Sequence, residues 1–336
     1  VYVPNPRTKI NIREVIMQYI KSKIEKHQIY IYFIALFSGI IVGLISNAFA
    51  NILETIISAS LCILMFSMFS QIPFFNIKHN LLNIKSILAL LTSNFIAIPL
   101  SVFGLIQLFD VSNVPIIIGL YLVLLTPCID YVIVFNALGK GNEQLMSFAT
   151  PLLFLGQILL LPLYFTLFLN IDIFSQIDIL PFLKSFLMFI IFPLLSALLL
   201  QYTSEKSESI NQILKLTSWL PEIFMALVLF SIVGSQINKI IYNLNIVFSV
   251  IPIYICFLIV SLFIGILCGK LFKVTQETKR TIAFSSSTRN ALVVLPLALG
   301  LPNHWVTIAT TVIITQTLCE LLGELIYIKM IPKYIK

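Results

Sequence analysis

The sequence predicts an all-α membrane protein of ten transmembrane helices, arranged as two inverted repeats of five, with the fourth and ninth helices interrupted and crossing. Three observations predict it. Hydrophobic residues make up 59% of the 336 residues and charged residues only 10%, with a mean hydropathy of +1.03, far outside the range of soluble domains. Ten apolar stretches follow one another, each close to the length that spans a bilayer. Short sequence echoes recur at a spacing that sets span n against span n+5.

In order, the stretches run from Ile29 to Ala48, Leu53 to Phe74, Ser86 to Phe109, Val114 to Leu138, Leu145 to Leu169, Leu180 to Leu200, Trp219 to Ile237, Ile246 to Phe272, Thr281 to Leu299 and Trp305 to Met330. Residues 1–26 read as a polar, basic cytoplasmic segment with no cleavable signal. The first five-helix repeat is then expected over 27–170 and the second over 171–336. With the N-terminus cytoplasmic, eighteen of the 21 Lys and Arg residues fall on its side of the membrane. Lys239 alone falls opposite, and Lys184 and Arg289 lie inside spans. This asymmetry predicts cytoplasmic termini and a multi-pass protein of the plasma or inner membrane. The formal charge of +7 therefore reports orientation and not nucleic-acid binding. The five cysteines lie in apolar stretches without metal-type spacing, so no disulfide framework is expected.

The repeat is read from two echoes. "ALGKGN" at Ala137–Asn142 recurs as "ALGLPN" at Ala298–Asn303, 161 residues later, and "SQI" at Ser70–Ile72 recurs at Ser235–Ile237. Five is odd, so the two copies must be inverted, as in many secondary transporters. At the same offset, the "TPCID" interruption of span four falls opposite "SSTRNA" in span nine. Irregular backbone at membrane depth is tolerated only where protein or a wet cavity surrounds it. The breaks are therefore the candidate site, with Thr126, Cys128 and Asp130 on one strand and Ser285, Ser286, Ser287, Thr288, Arg289 and Asn290 on the other. Asp130 and Arg289 carry opposite charge there. They are either an ion pair that fastens the crossed helices or groups that meet cargo or a coupling proton.

Other polar residues are secondary candidates. Gln71 and Gln236, related by the repeat, could supply amide oxygens to an ion or cap helix ends. Asn94 and Gln316 could satisfy backbone opened by the breaks. Glu320 and Glu324, four apart on one helix face, could form a proton path, with an interfacial role for Glu324 as the alternative. Trp219, Trp305, Tyr327 and Tyr334 read as interfacial anchors.

The segments "TPCIDYVIVFNALGKGN" and "SSSTRNALVVLPLALGLP" resemble the broken fourth and ninth helices of the bile-acid/arsenite/riboflavin transporter superfamily. The similarity is closest to its bacterial arsenic resistance proteins and bile acid:sodium symporter-like permeases, and it extends from "EKHQIYIY" at Glu25 to "TQTLCELLGELIY" ending at Tyr327. It implies the bile acid:sodium symporter-like fold, with a core domain and a panel domain, each drawn from both repeats, that move against one another. A fourth-helix cysteine is associated with metalloid transport in the arsenite branch, and Cys128 matches it as a possible metalloid ligand. The ninth-helix acid of that branch is replaced here by Asn290 beside Arg289. Where sodium-coupled members place polar ligands, this sequence has Val132, Ile133 and Ser285, so Arg289 resembles a tethered cation standing in for sodium.

The function expected first is secondary active efflux of arsenite, since a thiolate suits soft ions. The alternative is sodium- or proton-coupled transport of a small organic anion, since a guanidinium pairs with carboxylates. A reading from another class is a non-transporting membrane sensor. The expected partners are a small inorganic or organic solute, H+ or Na+ as coupling ion, and the lipid bilayer. No cofactor is expected, and no nucleotide loop or nucleophile–base pair points to an enzyme.

Overall fold

The fold is built from helices whose ends follow the sequence punctuation. The computed structural model describes residues 12–71, 83–129, 131–169, 184, 187–204 and 206–335, and every regular element among them is helical. Five helices are long and apolar enough to cross a membrane: Ile84–Leu108, Glu143–Phe168, Leu187–Ser204, Leu244–Leu271 and Trp305–Tyr334. Shorter apolar helices cover Tyr30–Ile45, Thr55–Gln71, Val114–Leu124 and Ile223–Ser235.

Helix α1 (Ile12–Ile45) begins well before the expected first span. No glycine or proline interrupts it before Gly39, so the helix runs through the polar segment into the apolar one. Helix α2 (Asn47–Gln71) follows directly. Helices α3 (Ile84–Thr92) and α4 (Ile98–Leu108) are joined by a π-helical turn at Ser93–Ala97. Span four consists of α5 (Val114–Leu124) and α6 (Val132–Leu138). Its interruption follows from Pro127, which has no amide to continue a helix and disfavours helical backbone in the residue before it.

Helix α7 (Glu143–Phe168) starts on an Asn142 cap. A π-helical turn at Leu187–Ile191 leads into α8 (Phe192–Ser204); residues 180–183 of the expected sixth span lie outside the described residues. An additional amphipathic helix, α9 (Glu208–Thr217), precedes α10 (Leu220–Tyr242). The second "SQI" therefore does not end its helix, which runs on to Tyr242. Helix α11 is Leu244–Leu271.

Span nine divides into α12 (Gln276–Ser287) and α13 (Ala291–Leu299) without a proline at the break. The run Ser285–Thr288 ends α12 through hydroxyls that bond back to the preceding carbonyls, and Asn290 caps α13. The two half-helices that leave the breaks both end on the glycine of their "ALG" triplets, Gly139 and Gly300. Helix α14 (Asn303–Tyr334) completes the chain. Within it Trp305 and Tyr327 are buried, so they pack the interior where interfacial anchors were expected, whereas Tyr334 is exposed.

Two groups of helices result. Helices α1, α2, α8 and α10 pack together, and α3, α4, α5, α7, α11, α12 and α14 form the other group. In the first, a Cβ on Gly39 would stand 2.7 Å from the Phe230 carbonyl oxygen, so α1 and α10 approach as closely as small residues permit. In the second, a Cβ on Gly265 would stand 2.6 Å from the Ala283 Cα, which seats α11 against the stretch of α12 just before its break. Between the groups lies a narrow apolar cleft of about 10 Å³, lined by Leu36, Leu229, Ile232 and Val233 on one side and Ala291, Leu295, Ile313, Ile314 and Thr317 on the other.

Candidate functional site

The two breaks meet as a short antiparallel crossing. The Cys128 amide donates to the Thr288 carbonyl at 3.1 Å, and the Asn290 amide donates to the Thr126 carbonyl at 2.9 Å. Pro127 faces Arg289 between these two bonds. The arrangement answers the demand that broken helices create at membrane depth, because each strand satisfies backbone groups the other has freed. The Thr126 hydroxyl bonds back to the Leu122 carbonyl at 2.9 Å, so it serves the end of α5.

Arg289 is fully buried, at 0% exposure. Its Nη2 donates to Asn94 Oδ1 at 2.8 Å, the Ser285 carbonyl at 2.6 Å and the Ser286 carbonyl at 2.7 Å. Its Cζ lies 5.8 Å from the centre of the Phe257 ring, a cation–π distance. The oxygens are held in place in turn. Asn94 Nδ2 donates to Ser285 Oγ at 3.0 Å and to the Leu90 carbonyl at 3.1 Å, and Ser93 Oγ bonds Ser286 Oγ at 2.5 Å. Asn94 and Ser93 both lie in the π-helical turn of span three, where the widened ladder turns them toward α12.

Two carboxylates of α14 close the other side. Glu320 accepts from the Arg289 backbone amide at 2.7 Å, from the Tyr131 hydroxyl at 2.7 Å and from Gln316 Nε2. The same hydroxyl lies 3.0 Å from the Arg289 carbonyl, so Tyr131 ties both breaks to α14. Glu324 Oε1 accepts from Ser287 Oγ and Thr288 Oγ1, each at 3.0 Å. Glu324 is 0% exposed, buried against the second break.

Of the eleven buried polar side-chain atoms without a hydrogen-bond partner among the described residues, five lie here and the other six are on Asn136, Gln157, Ser231 and Thr310. The five are Arg289 Nε and Nη1, Asn290 Nδ2, Gln316 Oε1 and Glu324 Oε2. Such groups are rare in folded proteins and each calls for a physical explanation.

The structure thus brings together Thr126, Cys128, Ser285 through Asn290, Asn94, Gln316 and Glu320. Asp130 lies outside the described residues. Gln71 is not brought to the crossing: it is exposed near the end of α2 and donates to Thr217 Oγ1 at 3.2 Å. The side chain of Gln236 lies outside what is described. Sequence reasoning missed Tyr131, Ser93 and Phe257, and it weighed Glu324 between a proton path with Glu320 and an interfacial role. The position of Tyr131 beside "TPCID" and the four-residue spacing of Glu324 from Glu320 were the available signals. Cys128 is buried and not in a disulfide. Among the described residues no three His, Cys, Asp or Glu side chains group as a metal site.

The sequence matches the sodium bile acid symporter family over residues 58–243. The chain belongs to that family. The matched segment takes in the first break, the later part of α2 and all of α10 of this symporter-family chain, whereas Thr288–Asn290 lies beyond it. Members of that family are transporters, and the family together with the long apolar helices makes this a multi-pass membrane protein. A comparison with curated proteins finds no match.

Proposed function

We propose that this protein is a secondary transporter that carries a small organic anion with an apolar body. The observation that carries the reading is the set of unpartnered donors at the crossing, Arg289 Nε and Nη1 and Asn290 Nδ2, next to an apolar cleft. Ala291 links the two, since it follows Asn290, opens α13 and lines the cleft. The helix N-terminus adds positive potential where a carboxylate or sulfonate would sit, and the aliphatic walls, parted by the movement of one helix group against the other, would cover its hydrocarbon part. The cleft separates the two helix groups, so sliding one group past the other would expose it to each side in turn.

The same reading takes the chain as two inverted five-helix repeats with both termini cytoplasmic. The matching glycine ends of α6 and α13 and the crossing of the two breaks support it. A reporter fused after Lys140 or Lys215 should accordingly read cytoplasmic and one beside Asp110 external. An external signal at Lys215 would remove the inversion.

Arsenite efflux is the second reading, supported by burial of Cys128 at the crossing. Flux into proteoliposomes of aliphatic carboxylates, sulfonates and arsenite, with sodium and proton gradients imposed separately, tests both. Saturable transport of an organic anion that survives Cys128→Ser is expected. Arsenite flux lost in that variant, with no flux of any organic anion, would reverse the order of the two readings.

A further inference from the structure

Glu320 and Glu324 reach the second break from the same helix, yet their neighbours differ in kind. Glu320 Oε2 meets two N–H groups, the Arg289 amide and Gln316 Nε2, and an N–H can only donate. Glu324 meets hydroxyls alone. Its Oε1 lies 3.0 Å from both Ser287 Oγ and Thr288 Oγ1, and its Oε2 has no partner among the described residues. Each hydroxyl has a single hydrogen and a second acceptor within reach. Thr288 Oγ1 is 2.7 Å from the Phe284 carbonyl, nearer than to Glu324, and Ser287 Oγ is 3.1 Å from the Ala283 carbonyl. The two hydroxyls can therefore point at a carboxylate, or turn to the α12 carbonyls and accept a hydrogen from a protonated carboxyl. The Arg289 side chain gives Glu324 no bond, since Nη2 serves Asn94 and two carbonyls while Nε and Nη1 have no partner. A carboxyl buried at membrane depth without a cation bonded to it keeps its place when a proton can neutralise it, and such residues mark proton sites. The charged and titratable groups around it, among the described residues, are Glu320 and Tyr327 on its own helix and Arg289 at the break.

We propose that Glu324 is a proton-exchange site: Oε1 takes one proton from water as Ser287 and Thr288 turn their hydrogens to the α12 carbonyls, and releases it as they turn back. Only an O–H bond forms and breaks. The two glutamates then differ in role, with Glu320 holding the crossing and Glu324 alone exchanging the proton. The state of Glu324 reaches the break because Thr288 directly precedes Arg289. One consequence rests on the organic-anion reading. An ionised Glu324 sets a negative charge beside the place the anion would take and a protonated one removes it, so anion and proton favour each other's binding and travel together.

Infrared spectroscopy of the full chain in detergent tests the site without reading flux. The difference between the native and Glu324→Gln spectra should contain the C=O band of a protonated carboxyl that comes and goes with pH, and Glu320→Gln should keep that band. Thr288→Val, which removes one hydroxyl at nearly constant volume, should shift it. A difference spectrum without the band overturns the proposal. If Glu324→Gln does not fold, Thr288→Val decides, and a spectrum it leaves unshifted overturns the proposal. Coupling is read in proteoliposomes with hexanesulfonate, which stays ionised and does not cross lipid unaided. An inside-alkaline gradient of about one pH unit should raise its accumulation by the native chain about tenfold, the factor for one proton per anion, and should not change whatever uptake Glu324→Gln retains. A native chain that accumulates hexanesulfonate without regard to the proton gradient overturns the coupling. A native chain that moves none removes the cargo reading, and the infrared band alone then upholds or overturns Glu324 as the proton site.

Discussion

Glu320→Ala is expected to abolish transport and to destabilise the protein by on the order of 3–5 kcal/mol, the range found when one member of a buried charged network is removed. Glu320 takes hydrogen bonds from three elements at once: the second break through the Arg289 amide, α6 through Tyr131, and its own helix through Gln316. Alanine leaves the Arg289 amide and Gln316 Nε2 without an acceptor, each costing roughly 1–3 kcal/mol when buried. Tyr131 suffers less, because its hydroxyl can turn fully to the Arg289 carbonyl 3.0 Å away. Glu320→Gln keeps one acceptor oxygen and should cost about half as much stability. Chemical denaturation in detergent beside proteoliposome flux checks this; an alanine variant with native stability would mean that the crossing is held by the backbone bridge alone.

Much of this architecture was legible because its causes are local. Pro127 interrupts span four by removing a donor, the Ser285–Thr288 run interrupts span nine by offering hydroxyls in place of amides, and the "ALG" glycines end the half-helices that leave both breaks. Asn94 and Glu320 could be suspected, since polar groups in apolar spans need partners. Their contacts could not be read from sequence. That Asn94 reaches the guanidinium depends on the π-helical turn at Ser93–Ala97; Pro99, two residues beyond it, marks a disturbed ladder but not which side chains the turn aims inward. Glu324 was left between a proton path and an interface because linear distance from Lys329 does not show that the long α14 buries it against Ser287 and Thr288. The expected start of the first span at Ile29 agrees with the apolar part of α1 from Tyr30, whereas the extension of that helix back to Ile12 was not legible, because composition marks where a helix becomes apolar, not where it begins.

The second large effect concerns the charge of Arg289. In sodium-free medium, Arg289→Met should destabilise the chain by on the order of 3–5 kcal/mol, since it strips the donor from Asn94 Oδ1 and two carbonyls and leaves the α14 carboxylates without a cation. Adding Glu320→Gln removes one of those carboxylates at nearly constant volume. Gln316 has an unpartnered Oε1 that can turn to receive the new amide. The double variant should therefore regain much of the stability, with a coupling energy of about 0.5–3 kcal/mol between the two positions. Flux separates a fastening role from a working one. If Arg289 only holds the crossed strands together, transport should return with stability, because the backbone bridge between Thr126–Cys128 and Thr288–Asn290 is untouched. If its unpartnered Nε and Nη1 take part in holding the anion, a refolded double variant should stay inactive. We expect the second outcome, and recovery of both stability and flux would remove Arg289 from the transport site.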